Sequence, residues 1–308
     1  MAQLGLGLAA IGRPAYITSG RVRDLPGERT RSDLRRRAHQ LLDHAFALGV
    51  RYVDVARSYG DAEQFLGSWL SEREGVDVVV ASKWGYRYVG GWQVDAEQHE
   101  VKSHDLATFE RQLAESVSLL DGWLRLYQVH SVTPDSPLLT DRPLLVRLAA
   151  LRDDGIEVGV STSGAGQPEA IERALAITVD GRRLVTSVQA TWNLLETSAG
   201  PALDAAHAAG VRVVVKEAVA NGRLTGFDVA ARLAAVAGRH GVGVDAVAIG
   251  AALAQPWCDV VLSGAVTPDQ LTSNAASVSF APGELDTLSM LAEPPDAYWA
   301  ARSRRRWT

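Results

Sequence analysis

Short β-branched runs alternate with longer amphipathic stretches along the whole chain. The runs predict strands at Leu4–Leu8, Arg51–Val55, Val76–Ser82, Leu124–His130, Glu157–Ser161, Ser187–Ala190, Arg212–Lys216 and Asp259–Ser263. Between them, periodic apolar positions predict helices at Asp33–Leu48, Ala62–Leu70, Leu106–Leu120, Pro143–Arg152, Pro168–Ala176, Pro201–Ala209, Val229–Leu253 and Pro268–Ser277, the seventh broken near Gly241-Val242-Gly243. Pro143, Pro168 and Pro268 stand in first turns, where a missing N–H costs nothing. Runs such as Val78-Val79-Val80-Ala81 are continuously apolar, which suits parallel strands buried on both faces. Eight such strands, each followed by a helix, predict a closed (β/α)8 TIM barrel forming one domain over residues 1–308. An open doubly wound sheet fits less well. Gly5-x-Gly7 lacks a third glycine and leads into a polar loop rather than a helix.

Three connections are longer than barrel closure requires: 13–31, 84–105 and 131–142. Each follows the C-terminal end of a strand, the face on which barrels build their active sites. They are the expected walls of a substrate pocket. Trp84, Trp92 and Trp192 follow strand ends and are read equally as pocket lining or as packing.

Composition adds limits. A hydrophobic share of 47% suits a large core, and a net charge of −5 gives no reason to expect nucleic acid or an anionic membrane as partner. No apolar run reaches the roughly 18 residues of a membrane span. The first residues read as a glycine-punctuated strand rather than a signal peptide, and the single Cys258 suits a reducing compartment, so a cytoplasmic location is expected. Arg302, Arg304, Arg305 and Arg306 read as a solvated end. His99 and His104, beside Glu97 and Glu100, read as a polar loop and not as a metal site.

The candidate chemistry lies where strands stop. Strand 2 ends at Asp54, with Tyr59 just before the next helix; strand 3 ends at Lys83 and strand 4 at His130. Each has an ordinary reading, as a turn residue, a helix-start aromatic, a solvated strand terminus and a satisfied core histidine. Together they set an acid, a cation, a phenol and an imidazole on adjacent strands. That set suits carbonyl reduction, in which charge develops on oxygen and a nearby acid must protonate it. A cation beside the phenol is expected to ease its proton release, a carboxylate to hold the cation, and an imidazole N–H to align the carbonyl.

With those residues in view, the chain resembles the aldo-keto reductase superfamily over nearly its whole length. Gly49–Gly67 is similar to that family's second strand and helix, Ala81–Gly85 to its lysine strand and Leu126–Ser131 to its histidine strand. The resemblance implies a catalytic tetrad of Asp54, Tyr59, Lys83 and His130. It also implies a nicotinamide cofactor held by Ser161, Thr162, Gln189, Lys216, Gly222, Leu224, Ser263, Gly264, Gln270 and Asn274. Two positions depart from the family's pattern. Thr162 replaces an asparagine, and Lys216 stands where an aromatic stacks on nicotinamide, leaving open whether it meets an anion or pairs with Glu217. NADP(H) is the family's commoner cofactor. NAD(H) is its rival here, because no Lys or Arg occurs between Arg239 and Arg302, where the adenosine phosphate is expected. The implied activity is NAD(P)(H)-dependent reduction of a small aldehyde or ketone. Oxidation of a sugar or secondary alcohol with NAD⁺ and a cofactor-binding regulatory subunit are the alternatives, and an intact tetrad argues against the last.

Overall fold

The computed structural model describes residues 2–276 and 278–308, the side chains of Phe227, Asp228 and Ala230 excepted. Eight parallel strands close a barrel: β1 Gln3–Gly7, β2 Tyr52–Asp54, β3 Val79–Trp84, β4 Leu124–Val132, β5 Glu157–Thr162, β6 Ser187–Thr191, β7 Arg212–Lys216 and β8 Val260–Ser263. They neighbour one another in sequence order, and β1 closes on β8 through Leu4 opposite Val261. The outer ring is α1 Arg31–Ala47, α2 Ala62–Ser71, α3 Leu106–Leu120, α4 Arg142–Asp153, α5 Gln167–Leu175, α6 Gly200–Ala208, α7 Phe227–His240, α8 Val244–Leu253 and α9 Pro268–Asn274. Side-chain caps start several of them. Thr30, Asp105, Asp141 and Thr267 each accept the N–H three residues on, satisfying one of the first-turn donors that a helix leaves unpaired.

Most of the core lies between the strands and the helices, while a smaller apolar set fills the barrel floor: Tyr52, Ala81, Leu126, Val214, Val260 and Leu262. Side chains alternate across a strand. Two residues above that floor the inward positions turn polar: Asp54 above Tyr52, Lys83 above Ala81, Gln128 above Leu126 and Lys216 above Val214. Polar groups thus gather at the C-terminal end by the period of the strand.

Three differences from the sequence reading matter. α9 stops at Asn274, and its expected end, Ser277, lies outside the described residues. Strand β4 runs past His130 to Val132, with a register shift between Val129 and Val132 and Ser131 at φ 54°. Such a bulge re-aims the side chains it carries. Finally, the chain ends in two further helices, α10 Glu284–Ser289 and α11 Pro295–Ser303, and its arginines are not all solvated. Arg302 bonds the Glu217 carboxylate, and Arg305 donates to the Ile17 carbonyl at 2.9 Å and the Asn221 carbonyl at 2.8 Å. Thr308 exchanges backbone hydrogen bonds with Tyr16, so the tail lies across the C-terminal face. None of the helices of the described residues is long and apolar enough to cross a membrane.

Candidate active site

A cavity of about 550 Å³ opens at the C-terminal ends of the strands. Asp54, Tyr59 and His130 line it, and Lys83 lies beneath them, fully buried. The Lys83 ammonium bonds the Asp54 carboxylate directly and donates to the Val55 carbonyl at 3.1 Å. Gln189 donates to the other Asp54 oxygen at 2.8 Å. One carboxylate therefore ties β2, β3 and β6 together, and it gives the buried ammonium the partner that its loss of water demands.

Tyr59 is held by glycines. A Cβ on Gly12 would stand 2.2 Å from the Tyr59 carbonyl oxygen, and one on Gly60, at φ 60°, would stand 2.4 Å from the Gly12 carbonyl oxygen. The two segments approach so closely that only hydrogen fits, and the Asp61 N–H to Gly12 carbonyl bond at 2.9 Å locks them. The phenol ring lies with its centroid 4.9 Å from the Lys83 ammonium and packs edge-on against the His130 ring at 5.5 Å. The Tyr86 ring packs at a tilt against the same imidazole at 5.0 Å.

The electrostatics correct one expectation. Burial, reinforced by the Asp54 charge, pushes the Tyr59 phenol well above its ordinary value rather than down toward neutrality. The Lys83 charge is directed at Asp54 and Val55, and burial pushes Lys83 itself down against the pull of Asp54. Burial, then the nearby Lys83 and Lys216, holds the His130 imidazole well below its usual range, so it is neutral at physiological pH.

The expected cofactor residues separate into two groups. Gln189, Lys216, Gly222, Ser263, Gly264, Gln270 and Asn274 line the cavity. Ser161, Thr162 and Leu224 do not. The Ser161 hydroxyl accepts the Ser131 N–H at 2.8 Å, and Thr162 faces Gln167, so Ser163 is the residue of that strand end that reaches the cavity. Leu224 packs among Leu194, Leu195 and Tyr298, and Val219 takes its N–H. Lys216 donates to the Thr191 hydroxyl at 2.7 Å and lies 3.7 Å from Glu217. Burial, opposed by Glu217, brings Lys216 down to about 8.

The connections 13–31 and 84–105, expected as walls, supply the rest of the Tyr59 end together with the tail, although the sequence did not single out these side chains. Arg13 is buried at the mouth, donating to the Ser58 carbonyl and to Glu100, both at 2.8 Å, beneath the Trp307 ring at 4.5 Å. Tyr16, Tyr86, Glu100 and Trp307 complete that end. By contrast, Trp84 and Trp192 belong to the core, and Trp92 bonds the Arg29 carbonyl away from the cavity. His99 stacks on Trp307, and His104 faces the His130 carbonyl at 2.8 Å.

The residues present fit an extended polar ligand such as a dinucleotide. Gln189 Oε1 and Asn221 Oδ1 belong to residues lining the cavity and are buried without a partner, and a Cβ on Gly264 would meet nothing within 4 Å.

A family model described as the aldo/keto reductase family matches residues 4–291. Among solved structures, the glycerol dehydrogenase of Gluconobacter oxydans is similar with a TM-score of 0.69 at 20% identity, covering 94% of this chain and 90% of that one. The holo form of an aldo-keto reductase from Bacillus halodurans gives 0.66 at 21% identity, covering 94% and 92%. At those identities the likeness is one of fold. No curated protein matches the chain.

Proposed function

The chain belongs to the aldo/keto reductase family, and from that premise we propose that it reduces a small aldehyde or ketone to its alcohol, with Tyr59 as the proton donor. The observation that carries this reading is the convergence of Asp54, Tyr59, Lys83 and His130 at one end of one cavity. A nicotinamide dinucleotide, bound along Gln189, Gly222, Ser263, Gly264, Gln270 and Asn274, would supply the hydride.

The protein's own part is geometry and proton supply. A carbonyl oxygen between the Tyr59 hydroxyl and the neutral His130 ring receives hydrogen bonds that strengthen as negative charge builds on it. When hydride has reached the carbon, the oxygen is an alkoxide, a stronger base than a phenolate. Tyr59 therefore delivers its proton although burial raises its pKa. A high pKa has a use here: the donor stays protonated between turnovers over the whole neutral range. The Lys83–Asp54 pair acts as a buried brace beneath the phenol. In the reverse direction the same atoms accept the proton of an alcohol.

The test is turnover. Purified protein with NADH or NADPH and a panel of aldehydes, ketones and sugars is expected to consume the reduced cofactor, followed by its absorbance, with at least one member of the panel. Binding of cofactor without turnover of any carbonyl or alcohol would instead favour a regulatory role.

A further inference from the structure

At the end of the cavity away from Tyr59, the wall is made by β8, α8 and α9, and among its described residues that line the cavity the only charged side chain is an acid. Asp245, in the first turn of the ten-residue α8, lines the cavity beside Ser263, Gly264, Gln270 and Asn274. Its two carboxylate oxygens are presented by different partners. The Ser273 hydroxyl donates to one at 2.9 Å, and the Asn274 side-chain amide donates to the other at 2.6 Å. Asn274 in turn accepts from the Ser263 hydroxyl at 2.7 Å, so the carboxylate is fixed to the strand end through a polar chain. A carboxylate offers about four acceptor positions, and two remain for a ligand.

Three charge arguments point the same way. The sequence has no Lys or Arg between Arg239 and Arg302, so α8, β8 and α9 supply no cation to that wall. Of the arginines elsewhere around the cavity, Arg13 and Arg302 are paired with Glu100 and Glu217, Arg305 bonds the Ile17 and Asn221 carbonyls and the exposed Arg23 pairs with its neighbour Asp24; none of them belongs to this wall. The first turn of a helix is where an anion is favoured by the backbone dipole, and Asp245 already places negative charge there.

We propose that Asp245 makes this site selective for NAD(H): its carboxylate receives the adenosine ribose hydroxyls and repels the 2′-phosphate of NADP(H). The inference rests on the reading that the cavity takes a nicotinamide dinucleotide, with the adenosine end on β8 and α9. A ribose 2′-hydroxyl donates to a carboxylate, which is how an acidic residue selects NAD in other dinucleotide sites. A 2′-phosphate has only weak donors to offer and carries a charge of about −1.5 to −2 at neutral pH. It would meet a fixed anion with no cation from the same wall to offset it.

The test is isothermal titration of the purified full chain with NADH and with NADPH, repeated on Asp245→Asn and Asp245→Ser. Wild type is expected to bind NADH at least about tenfold more tightly, since a charge-assisted hydrogen bond corresponds to about 10- to 100-fold. Both variants are expected to narrow that ratio by about tenfold or more, mainly by tighter NADPH binding. A purely structural Asp245 would lower both affinities together and leave the ratio unmoved. Wild-type preference for NADPH, or an unchanged ratio in variants that melt like wild type, overturns the proposal, and the wild-type ratio decides even where a variant does not fold. Failure of both cofactors to bind wild type overturns the functional reading beneath it as well.

Discussion

Asp54 shows how a single side chain organises the site. It is buried, shares its oxygens between the Lys83 ammonium and the Gln189 amide, and stands two residues above the apolar floor. Gly12 has a comparable part with no side chain at all, because its backbone is the surface against which Tyr59 is set. Gly12→Ala is expected to move Tyr59 and lower turnover by about 10²-fold, the effect of roughly 1 Å of misplacement, while cofactor affinity at the far wall changes little. Wild-type turnover in that variant would show that the approach is slack. A second residue-scale expectation is a titration. Lys216, brought down to about 8 by burial, loses its charge as pH rises through that value. A step near pH 8 in the pH profile of kcat/KM is therefore expected, and Lys216→Met should remove it; a step that persists belongs to another group. Sequence reading grouped Asp54, Tyr59, Lys83 and His130, and the fold brings them together, because each sits at a strand end or just beyond one. It gave Arg13 only as part of an expected wall loop and did not reach Trp307. Both come from loop or tail, where no periodicity says which way a side chain faces.

At the scale of elements, the barrel was legible and its embellishments were not. All eight strands fall on the expected runs, because strands buried on both faces must be continuously apolar. The expected break between α7 and α8 falls at Gly241, the left-handed C-cap of α7. The hairpin formed by Tyr86–Tyr88 and Glu100–Lys102 has strands too short to show a pattern, and α10 and α11, of 6 and 9 residues, are too short to show a helical period clearly. Of the residues at the end of β5, Ser163 lines the cavity while Ser161 bonds the Ser131 N–H and Thr162 faces Gln167, a division that residue order alone does not reveal. Helix starts are testable directly. Asp105 caps α3 through the Thr108 N–H at 2.7 Å, and Asp105→Ala is expected to cost about 1 kcal/mol of stability in denaturant unfolding. An unchanged midpoint would mean that solvent replaces the cap.

Over the whole molecule, the two ends of the cavity are built differently. One end, roofed by the 13–31 loop and the tail, gathers Arg13, Tyr59, Tyr86, Glu100, His130 and Trp307. The other is a spare polar wall on β8, α8 and α9. Arg302 and Arg305, the tail residues read as solvated from sequence, tie the first end to the Glu217 and Asn221 segment after β7. That division suits a reaction in which a long cofactor is anchored at one end and reacts at the other. The claim at its centre is that Tyr59 supplies the proton for carbonyl reduction, and Tyr59→Phe examines it most directly. Removing one phenolic oxygen should lower turnover by about 10²–10⁴-fold, with the dissociation constant of the reduced cofactor within about threefold of wild type, since that constant reports binding away from the hydroxyl. Turnover equal to wild type in a folded, cofactor-binding Tyr59→Phe would contradict the account.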